Sequence, residues 1–335
     1  ERMACRSVCV IGAGCAGSAC ASVCAKSGCD VTVFDMGSRG PGGRASHRIV
    51  ENEGGGKWEF DHGAQFIAPA KSPEFAALLK EWQRLGWVAE WTPRALGWLE
   101  SGGAFRASSA GASTASCPQE TFHHGFFEAC AGNSPLFVPV GGMNTLCRNL
   151  VASKPGVKLH SNRRVAAVDR TPEGRWRVYS NAEGAAHHER PEDEVAGADA
   201  TLMGEFDALV FTDIMCAYGE WHRASLRGLE KACPRVVSEL RAVGDSVPLF
   251  ALMVAFERPL SEVLEFDAAV VTGNAAVQWI ARNASKPGID ASAASETWTV
   301  ISTPAFAKAA LTERPMSTAT DGAPHGRLYE PQTGE

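Results

Sequence analysis

The sequence lacks several features that would direct it to particular classes of protein. No two of its 11 cysteines form a CxxC pair, which argues against a zinc ribbon or a thioredoxin-type redox site. There is no long run of Lys and Arg, and 32 basic against 38 acidic residues give a formal charge of −6. A mildly acidic chain of this kind is a poor partner for nucleic acid or an anionic membrane surface.

One uncharged stretch, residues 7–25, has few of the side chains that a membrane span needs. It is long enough to cross a bilayer, but it is rich in Gly, Ala, Ser and Cys rather than Leu or Ile. We therefore predict no transmembrane helix. The pairs His123-His124 and His187-His188 have no ligand partners at metal spacing, so we predict no metal site.

Cysteine is concentrated near the start of the chain, where six of the 11 residues fall in the first 30 positions. Most of the six lie on a predicted buried strand and helix, where Cys behaves as a small apolar residue. Reduced, packed cysteines indicate a reducing compartment. We expect a soluble intracellular protein, cytoplasmic or organellar, that acts on a small-molecule substrate.

The start of the chain has the pattern of a βαβ unit. Residues 7–11 form a short apolar run that ends in glycine, which is typical of a buried parallel strand. A glycine-rich turn and a helical stretch closed by Gly28 follow, and residues 31–34 form a second strand that ends at Asp35. Strand, turn, helix and strand in this order predict a right-handed crossover.

The turn of this unit has the spacing Gly12-x-Gly14-x-x-Gly17. Gly12 allows a tight turn, Gly14 lets backbone N–H groups approach a pyrophosphate, and Gly17 lets the helix pack on the strand. Asp35 would accept hydrogen bonds from an adenosine ribose. Asp35 would repel a 2′-phosphate about 4 Å away by about 4 kcal/mol at an effective dielectric of about 20, which favours FAD or NAD over NADP. The alternative is an ordinary glycine turn.

A second glycine-rich element, Gly40-Pro41-Gly42-Gly43-Arg44, begins five residues after Asp35. We predict that Gly42 and Gly43 contact the same pyrophosphate and that Arg44 supplies charge-assisted hydrogen bonds. Simple NAD dehydrogenases lack this element, so it favours FAD. The alternative is a glycine loop with a solvated arginine.

With these motifs the chain resembles the FAD-dependent amine oxidase superfamily and, within it, the renalase-like oxidoreductases. The resemblance runs from about residue 7 to residue 311 and is most specific over the first 66 residues. Asp35 is a departure, because the family more often has Glu there. The residues that carry the resemblance are Gly12, Gly14, Gly17, Asp35 and the segments 40–44, 60–66, 136–143, 279–288 and 298–302.

The resemblance implies further contacts with FAD. In the family the Asp-His-Gly-Ala-Gln segment passes beside the flavin, so Gly63, Ala64 and Gln65 are expected to contact it, with the Gln65 amide offering donors and an acceptor. The backbone of Val165 is expected to meet the adenine.

Three residues are candidates for catalysis. The resemblance implies that Asn283 and Lys286 lie in a turn that approaches the flavin ring; the alternative for Lys286 is a surface turn. His62 is a candidate proton shuttle, and its alternative is a structural hydrogen bond. Four tryptophans are candidates for a substrate pocket or, alternatively, for the core: Trp82, Trp87, Trp91 and Trp98.

The expected fold class is α/β, with a Rossmann-like FAD-binding domain of the amine oxidase type over residues 1–70 and 136–215. A mixed-sheet substrate domain is expected over residues 71–135 and 216–311. The implied function is FAD-dependent oxidation, in which hydride passes from an amine or a reduced nicotinamide-type substrate to flavin and O₂ is the acceptor. Two alternatives stay open: an NAD-dependent dehydrogenase, and a degenerate or truncated dinucleotide-binding protein without catalysis.

The second alternative arises from the polar tail, residues 312–335. The family normally ends with a Gly-Asp strand end and a helix whose N-terminus meets the flavin, and no such segment follows Leu311. For that reason we expect this chain to be truncated and to bind FAD weakly.

Other elements follow from shorter patterns. A helix is predicted over residues 72–86, with Ser72 as its N-cap and Pro73 in its first turn. Strands are predicted over residues 159–169, 175–179, 208–211, 277–281 and 298–301, and loops over residues 107–116 and 181–200.

Overall fold

The computed structural model describes residues 6–51, 55–68, 72–108, 135–180, 200–217, 226–243, 247–290 and 296–313. The chain folds into two compact units, each assembled from separate segments. Unit 1 comprises residues 1–43, 147–246 and 313–335, and unit 2 comprises residues 44–146 and 247–312. These divisions differ from the predicted domain bounds, and the assignment of FAD-binding and substrate domains stays a prediction.

Some predicted features lie outside the described residues. They are the loop residues 109–116 and 181–199, both histidine pairs and the tail beyond residue 313. Within the described ranges, no helix is long and apolar enough to cross a membrane.

The strands and helices have the following bounds. The strands are β1 (Ser7–Ile11), β2 (Asp30–Phe34), β3 (His47–Glu51), β4 (Lys57–Asp61), β5 (Val88–Trp91), β6 (Leu96–Glu100), β7 (Phe105–Ala107), β8 (Leu136–Pro139), β9 (Val157–His160), β10 (Ala167–Arg170), β11 (Trp176–Ser180), β12 (Thr201–Phe206), β13 (Ala208–Phe211), β14 (Ala251–Phe256), β15 (Ala268–Thr272), β16 (Val277–Arg282) and β17 (Glu296–Ser302). The α-helices are α1 (Cys15–Lys26), α2 (Pro73–Arg84), α3 (Thr145–Ala152), α4 (Leu229–Ala232), α5 (Pro234–Arg241) and α6 (Pro304–Glu313), and 3-10 turns cover Ile214–Ala217, Leu260–Glu262 and Asn283–Ser285.

Unit 1 is built on a four-stranded parallel sheet with the strand order β13-β1-β2-β9. Both faces of its central strand β1 are covered, which is why β1 reads as a continuous apolar run. Val8 and Val10 of β1 pack with Ala21 of α1 on one face. Cys9 points to the other face and packs in a cluster that includes Val178 of β11. The sheet therefore holds α1 firmly behind the end of β1.

The three-stranded antiparallel sheet β10-β11-β12 completes unit 1 and corrects one prediction. The single strand predicted over residues 159–169 is wrong, because β9 and β10 lie there in two different sheets. Between them Asn162 has a left-handed φ of 53° and the Arg163 N–H donates to the carbonyl of Asp35 at 2.8 Å. This turn directs the chain from one sheet to the other.

Unit 2 contains a six-stranded sheet with the order β14-β17-β16-β15-β6-β7. Its β15–β6 pair is parallel and its other pairs are antiparallel, so the predicted mixed sheet is confirmed. Phe266, Ala269 and Trp298 form the centre of a hydrophobic cluster in this unit. Two smaller antiparallel pairs, β3-β4 and β5-β8, complete the strands of unit 2.

Most other predicted elements are confirmed. The strands over residues 7–11, 31–34, 175–179, 208–211, 277–281 and 298–301 match β1, β2, β11, β13, β16 and β17. The predicted helix is α2, and the hydroxyl of its N-cap Ser72 accepts from the N–H of Phe75 at 3.2 Å. Ala107, predicted in a loop, ends β7 instead.

Candidate functional site

The first glycine turn is shaped by close approach of backbone. Gly12 has a φ of 96°, a conformation that side-chain-bearing residues rarely adopt. A Cβ on Gly17 would overlap the carbonyl oxygen of Gly12, so only glycine lets α1 pack this closely on the end of β1. The roles predicted for these two glycines in the turn and in packing match this geometry.

Gly14 differs from its neighbours because the protein itself does not need glycine there. Its φ is −71°, and a Cβ would lie 3.8 Å from Gly42 O and Gly43 Cα, which is ordinary contact. It is the N-cap of α1 and has no side chain to cover the first N–H groups of the helix. A side chain at position 14 would thus clash with nothing in the protein, at the positive end of the helix dipole.

The second glycine turn lies against the first. Gly42 N–H donates to the Ala13 carbonyl at 2.9 Å, and a β-bridge joins Gly14 to Gly42. A Cβ on Gly43, which has a φ of 55°, would lie 3.2 Å from the Cα of Gly14. We call residues 12–17 and 40–43 together the phosphate cradle, because their backbone leaves room for an anion at the N-terminus of α1.

Asp35 follows β2 and holds this region together. Its Oδ2 accepts from the Ala13 N–H at 2.6 Å, and its Oδ1 accepts from the Gly37 N–H at 2.7 Å. Each carboxylate oxygen can accept more than one hydrogen bond, so the two backbone bonds leave capacity for ribose hydroxyls. Sequence reasoning predicted the ribose contact but missed the structural one.

Val165 lies close to Asp35 through the turn described above. Two residues earlier, Arg163 donates its N–H to the Asp35 carbonyl at 2.8 Å. The Val165 side chain packs in the core of unit 1, at 4% exposure. Within the described part of the chain, its N–H and C=O form no hydrogen bond. Buried backbone groups are nearly always paired, so the two unpaired groups of Val165 are an exception within unit 1.

Arg44 follows Gly43 and is the first residue of unit 2. Its side chain is exposed and has no hydrogen-bond or ion-pair partner among the described residues. Its backbone is fixed, because the Arg44 carbonyl accepts from Ala64 N–H at 2.8 Å and a Cβ on Gly63 would overlap that carbonyl. Gly63 is therefore required by packing against the Arg44 backbone.

The Gln65 side chain is used within the protein. It is 2% exposed, and its Nε2 donates to the carbonyls of Asp61 at 2.7 Å and Gly63 at 3.0 Å. Its Oε1 accepts from Trp279 Nε1 at 3.3 Å. These bonds take up both donors of the amide, so the Gln65 side chain folds the 61–65 segment, whereas the sequence analysis expected its amide to face flavin.

His62 is half-buried, and its Nδ1 lies 3.3 Å from the Ser46 hydroxyl. This contact is the structural hydrogen bond that the sequence analysis held as the alternative to proton transfer. Across the described ranges, no group of His, Cys, Asp and Glu is arranged to hold a metal ion.

A chain of four charged or ionisable side chains lies buried in unit 2, and we call it the buried charge network. Lys286 Nζ lies 3.0 Å from Asp61 Oδ2, and His47 Nδ1 lies 2.9 Å from Asp61 Oδ1. His47 Nε2 lies 3.2 Å from Glu59 Oε2. The Lys286 and Asp61 side chains are each 1% exposed, whereas Glu59 is 19% exposed. The network thus runs from the interior of unit 2 towards solvent.

Asp61 is the centre of this network. Its N–H donates to Asn283 Oδ1 at 2.9 Å, and its carbonyl accepts from Thr299 Oγ1 at 3.0 Å. Burial alone would raise the pKa of Asp61, but the Lys286 ammonium, the hydrogen bond from His47 and the Met143 N–H at 2.9 Å outweigh it and hold this pKa below its usual range. The carboxylate is therefore ionised at neutral pH.

His47 lies between two carboxylates. Its Nδ1 faces Asp61 and its Nε2 faces Glu59, so a carboxylate oxygen engages each ring nitrogen. Gly142 covers the imidazole ring so closely that a Cβ there would overlap it.

Lys286 is not on a surface turn, which corrects that alternative. It follows the 3-10 turn after β16, and its Nζ lies 5.6 Å from the centre of the Trp91 ring, within cation–π range. Burial lowers the pKa of Lys286, an effect that Asp61 partly offsets. Its amine is enclosed by these contacts, so the structure gives Lys286 a role in holding Asp61.

Asn283 is equally engaged. Besides accepting from Asp61 N–H, it donates from Nδ2 to Thr299 Oγ1 at 3.2 Å and is completely buried. Of the four candidate tryptophans, Trp91 and Trp98 are core residues at 2% and 4% exposure. Trp82 and Trp87 are half-buried.

Sequence reasoning missed most of the buried charge network. Asp61 stood inside the recognised Asp-His-Gly-Ala-Gln segment without a role, and His47 and Glu59 had none. The alternation of β3 and β4 places His47 opposite Asp61 in an antiparallel pair. If the β3–β4 hairpin had been predicted from the sequence, His47 and Asp61 would have been recognised as neighbours.

Comparison with known proteins agrees with the phosphate cradle. The family of NAD(P)-binding Rossmann-like domains matches residues 10–82. That segment includes both glycine turns and Asp35; the first glycine turn and the acidic residue after the second strand are the dinucleotide-binding elements of such domains.

Several solved structures share the fold over most of the chain. A putrescine oxidase matches with a TM-score of 0.56 and 14% identity, over 92% of this chain and 77% of that one. A protein from Exiguobacterium sp. 255-15 assigned as a protoporphyrinogen oxidase matches with a TM-score of 0.54 and 11% identity, over 90% and 77% of the two chains. An oxidoreductase from Methanosarcina mazei matches with a TM-score of 0.53 and 13% identity, over 92% and 82%. The α/β fold predicted from the resemblance to the FAD-dependent amine oxidase superfamily is confirmed.

Proposed function

We propose that this chain is an FAD-dependent oxidoreductase of the amine oxidase type. The observation that carries the proposal is the phosphate cradle, in which two glycine turns meet at the N-terminus of α1 and a side chain at position 14 would clash with nothing in the protein. The fold shared with a putrescine oxidase and an oxidoreductase supports the same function.

The residues present fit FAD on four counts. Glycine at position 14 has no structural reason, which indicates that a ligand needs the space. The unpaired backbone groups of Val165 suit the adenine, and the free lone pairs of Asp35 suit the ribose. Arg44, whose side chain has no partner among the described residues, would supply charge to the pyrophosphate.

Bound FAD would supply the two-electron acceptor for hydride from an amine or a reduced nicotinamide-type substrate, with O₂ taking the electrons afterwards. The contribution of this chain beside the flavin is to hold the segment 61–65 in one conformation. Lys286 and Asn283 act as positioning residues, because both bond to Asp61 at the start of that segment. Gly63 and Ala64 would then present backbone to the flavin, and His62 would stay hydrogen-bonded to Ser46 as a structural residue.

The experiment is titration of the purified full chain with FAD, followed by the flavin absorption spectrum and by fluorescence. We expect one equivalent of FAD to bind, and Gly14→Ala to weaken it by at least about tenfold, equivalent to about 1.4 kcal/mol. The matched control is Gly102→Ala, since a Cβ there also clashes with nothing and lies outside the cradle. Unchanged affinity in Gly14→Ala would place the cofactor elsewhere.

The same titration separates the alternatives. Binding of NAD but not FAD would favour a dehydrogenase, against the second glycine turn. Binding of neither would favour a dinucleotide-type fold without catalysis.

A further inference from the structure

Two cysteines from distant parts of unit 1 meet beside the phosphate cradle. Cys15, the first residue of α1 and the neighbour of Gly14, is exposed, whereas Cys147 in α3 is buried. Their sulfur atoms lie 3.7 Å apart. We propose that Cys15 and Cys147 form a disulfide when the protein meets a peroxide, and that this bond weakens dinucleotide binding.

The geometry suits a bond between these two residues. A disulfide needs a sulfur–sulfur distance of about 2.05 Å, so the sulfurs must approach by roughly 1.7 Å. The pair joins the start of α1 to α3, so the bond would link two helices that are far apart in the sequence. Contact between an exposed and a buried thiol also lets an oxidant reach the first sulfur and leaves the second in place to react.

A second sulfur contact in α1 provides the comparison. Cys20 and Cys24 have sulfurs 3.9 Å apart, but they are four residues apart on one helix. Cβ atoms at that spacing are about 5–6 Å apart, whereas a disulfide needs about 3.5–4.5 Å. The two pairs have similar sulfur–sulfur distances, but the Cβ spacing on one helix excludes a disulfide between Cys20 and Cys24. We therefore expect a disulfide only for Cys15–Cys147.

The chemistry balances with hydrogen peroxide as the oxidant. The Cys15 thiolate attacks one peroxide oxygen, the O–O bond breaks, and Cys15 sulfenic acid and hydroxide form. The sulfur of Cys147 then attacks the Cys15 sulfur, the S–O bond breaks, and the leaving hydroxide takes the Cys147 proton as water. Two thiols are oxidised by two electrons and one peroxide is reduced to two waters.

Contact with Cys15 and burial raise the pKa of Cys147, so Cys147 stays a thiol while Cys15 is reduced. Oxidation of Cys15 removes the larger of these causes. This order makes Cys15 the residue that meets the peroxide and Cys147 the one that closes the bond.

The consequence for binding rests on the proposed function, but the bond itself does not. Cys15 carries a backbone N–H in the first turn of α1, beside Gly14. Drawing its sulfur towards Cys147 pulls on the residue that carries this N–H, and hydrogen bonds to a phosphate depend on donor–acceptor distance and angle. An oxidase that releases peroxide would then limit its own activity.

The first test maps the bond. The reduced full chain is exposed to hydrogen peroxide, free thiols are blocked, and the digest is analysed by mass spectrometry without reduction. We expect a peptide linking Cys15 to Cys147 and none linking Cys20 to Cys24. The proposal would be overturned if no Cys15–Cys147 peptide were found, or if these cysteines were linked only to other cysteines.

The second test measures FAD affinity before peroxide, after peroxide and after dithiothreitol. We expect the affinity of the wild-type chain to fall by about tenfold or more and to recover with the thiol. Cys147→Ala should show no recoverable loss, and the control Cys20→Ala/Cys24→Ala should behave as the wild type. A mapped bond with unchanged FAD affinity would refute the effect on binding, whereas a mapped bond in a chain that never binds FAD would refute the proposed function.

Discussion

The phosphate cradle of unit 1 and the buried charge network of unit 2 are built by opposite means. The cradle is made of backbone, and glycine, which has no side chain, lies at each point of close approach. The network is made of side chains that bear charge, enclosed and paired with one another. Removing a contact from the cradle leaves open space, whereas removing one from the network leaves a charge without its partner.

This difference separates affinity from stability. Gly14 and Arg44 contribute little to the stability of the ligand-free protein, so changes there should alter ligand binding and leave folding intact. Asp61 and Lys286 are completely enclosed, so changes there should alter folding first. Four substitutions or measurements test that separation.

The largest effect is expected from Lys286→Met. Loss of the ammonium leaves the Asp61 carboxylate buried without its counter-charge, which typically costs about 3–5 kcal/mol. Denaturant unfolding at neutral pH measures the change. The matched control is Lys158→Met, because Lys158 pairs with Asp30 on the surface, where both side chains are more than half exposed, and such pairs contribute about 0–1 kcal/mol. Equal losses of unfolding free energy in Lys286→Met and Lys158→Met would show that burial of the Lys286–Asp61 pair has no effect on its contribution to stability.

Arg44→Ala should affect ligand binding alone. A charge-assisted hydrogen bond contributes about 1.5–3 kcal/mol, so FAD affinity should fall by about 10- to 150-fold. The melting temperature of the ligand-free chain should not change, since the side chain is exposed. Arg44→Lys should recover part of the affinity, because lysine keeps the charge but lacks the planar fork. Arg258→Ala, another exposed arginine of unit 2, serves as the control. If Arg44→Ala binds FAD as tightly as the wild type, Arg44 faces solvent in the complex.

Gly17→Ala should be the exception within the cradle. Its Cβ would overlap the Gly12 carbonyl, so α1 must move away from β1 at a cost of about 1–3 kcal/mol. Compared with Gly17→Ala, Gly14→Ala should lower the stability of the fold far less and the affinity for FAD more. Thermal melting without ligand compares the two variants, and equal melting temperatures would contradict the packing argument.

The smallest effect is a pH dependence. Because the folded pKa of Asp61 is held down, its contribution to stability is present above the usual carboxyl pKa and is lost as the pH falls through the folded value. In Lys286→Met the counter-charge is gone and burial raises that pKa. The gap in unfolding free energy between wild type and Lys286→Met should therefore narrow as the pH falls from 7 towards 3. A gap that stays constant over that range would exclude the ion pair as its source.

The two regions also differ in how far the sequence revealed them. The cradle was predictable because Gly12, Gly14, Gly17 and Asp35 lie within one local unit, and each has a spacing with a physical meaning. The second turn, at Gly42 and Gly43, could be added for the same reason. Two features of this region could not be predicted: the backbone hydrogen bonds of Asp35 and the unpaired backbone groups of Val165. Both depend on the three-dimensional path of the chain, which no residue spacing shows.

The network could not be read from the sequence because its partners come from separate segments. Asp61, Met143 and Lys286 have no spacing pattern that relates them, and a lysine in a polar turn reads as exposed. The six-stranded sheet was seen only through β16 and β17. Its other strands were not identified, and the parallel β15–β6 pair joins segments so far apart in the chain that no local pattern relates them.

The separation between Asp61 and Lys286 also sets a schedule for folding. They lie 225 positions apart, and at a synthesis rate of about 5–20 residues per second Lys286 follows Asp61 by roughly 11–45 s. His47 and Met143, the other partners of the Asp61 side chain, are both made before Lys286. We therefore expect the Asp61–Lys286 ion pair to form late in synthesis, as one of the last contacts of β4.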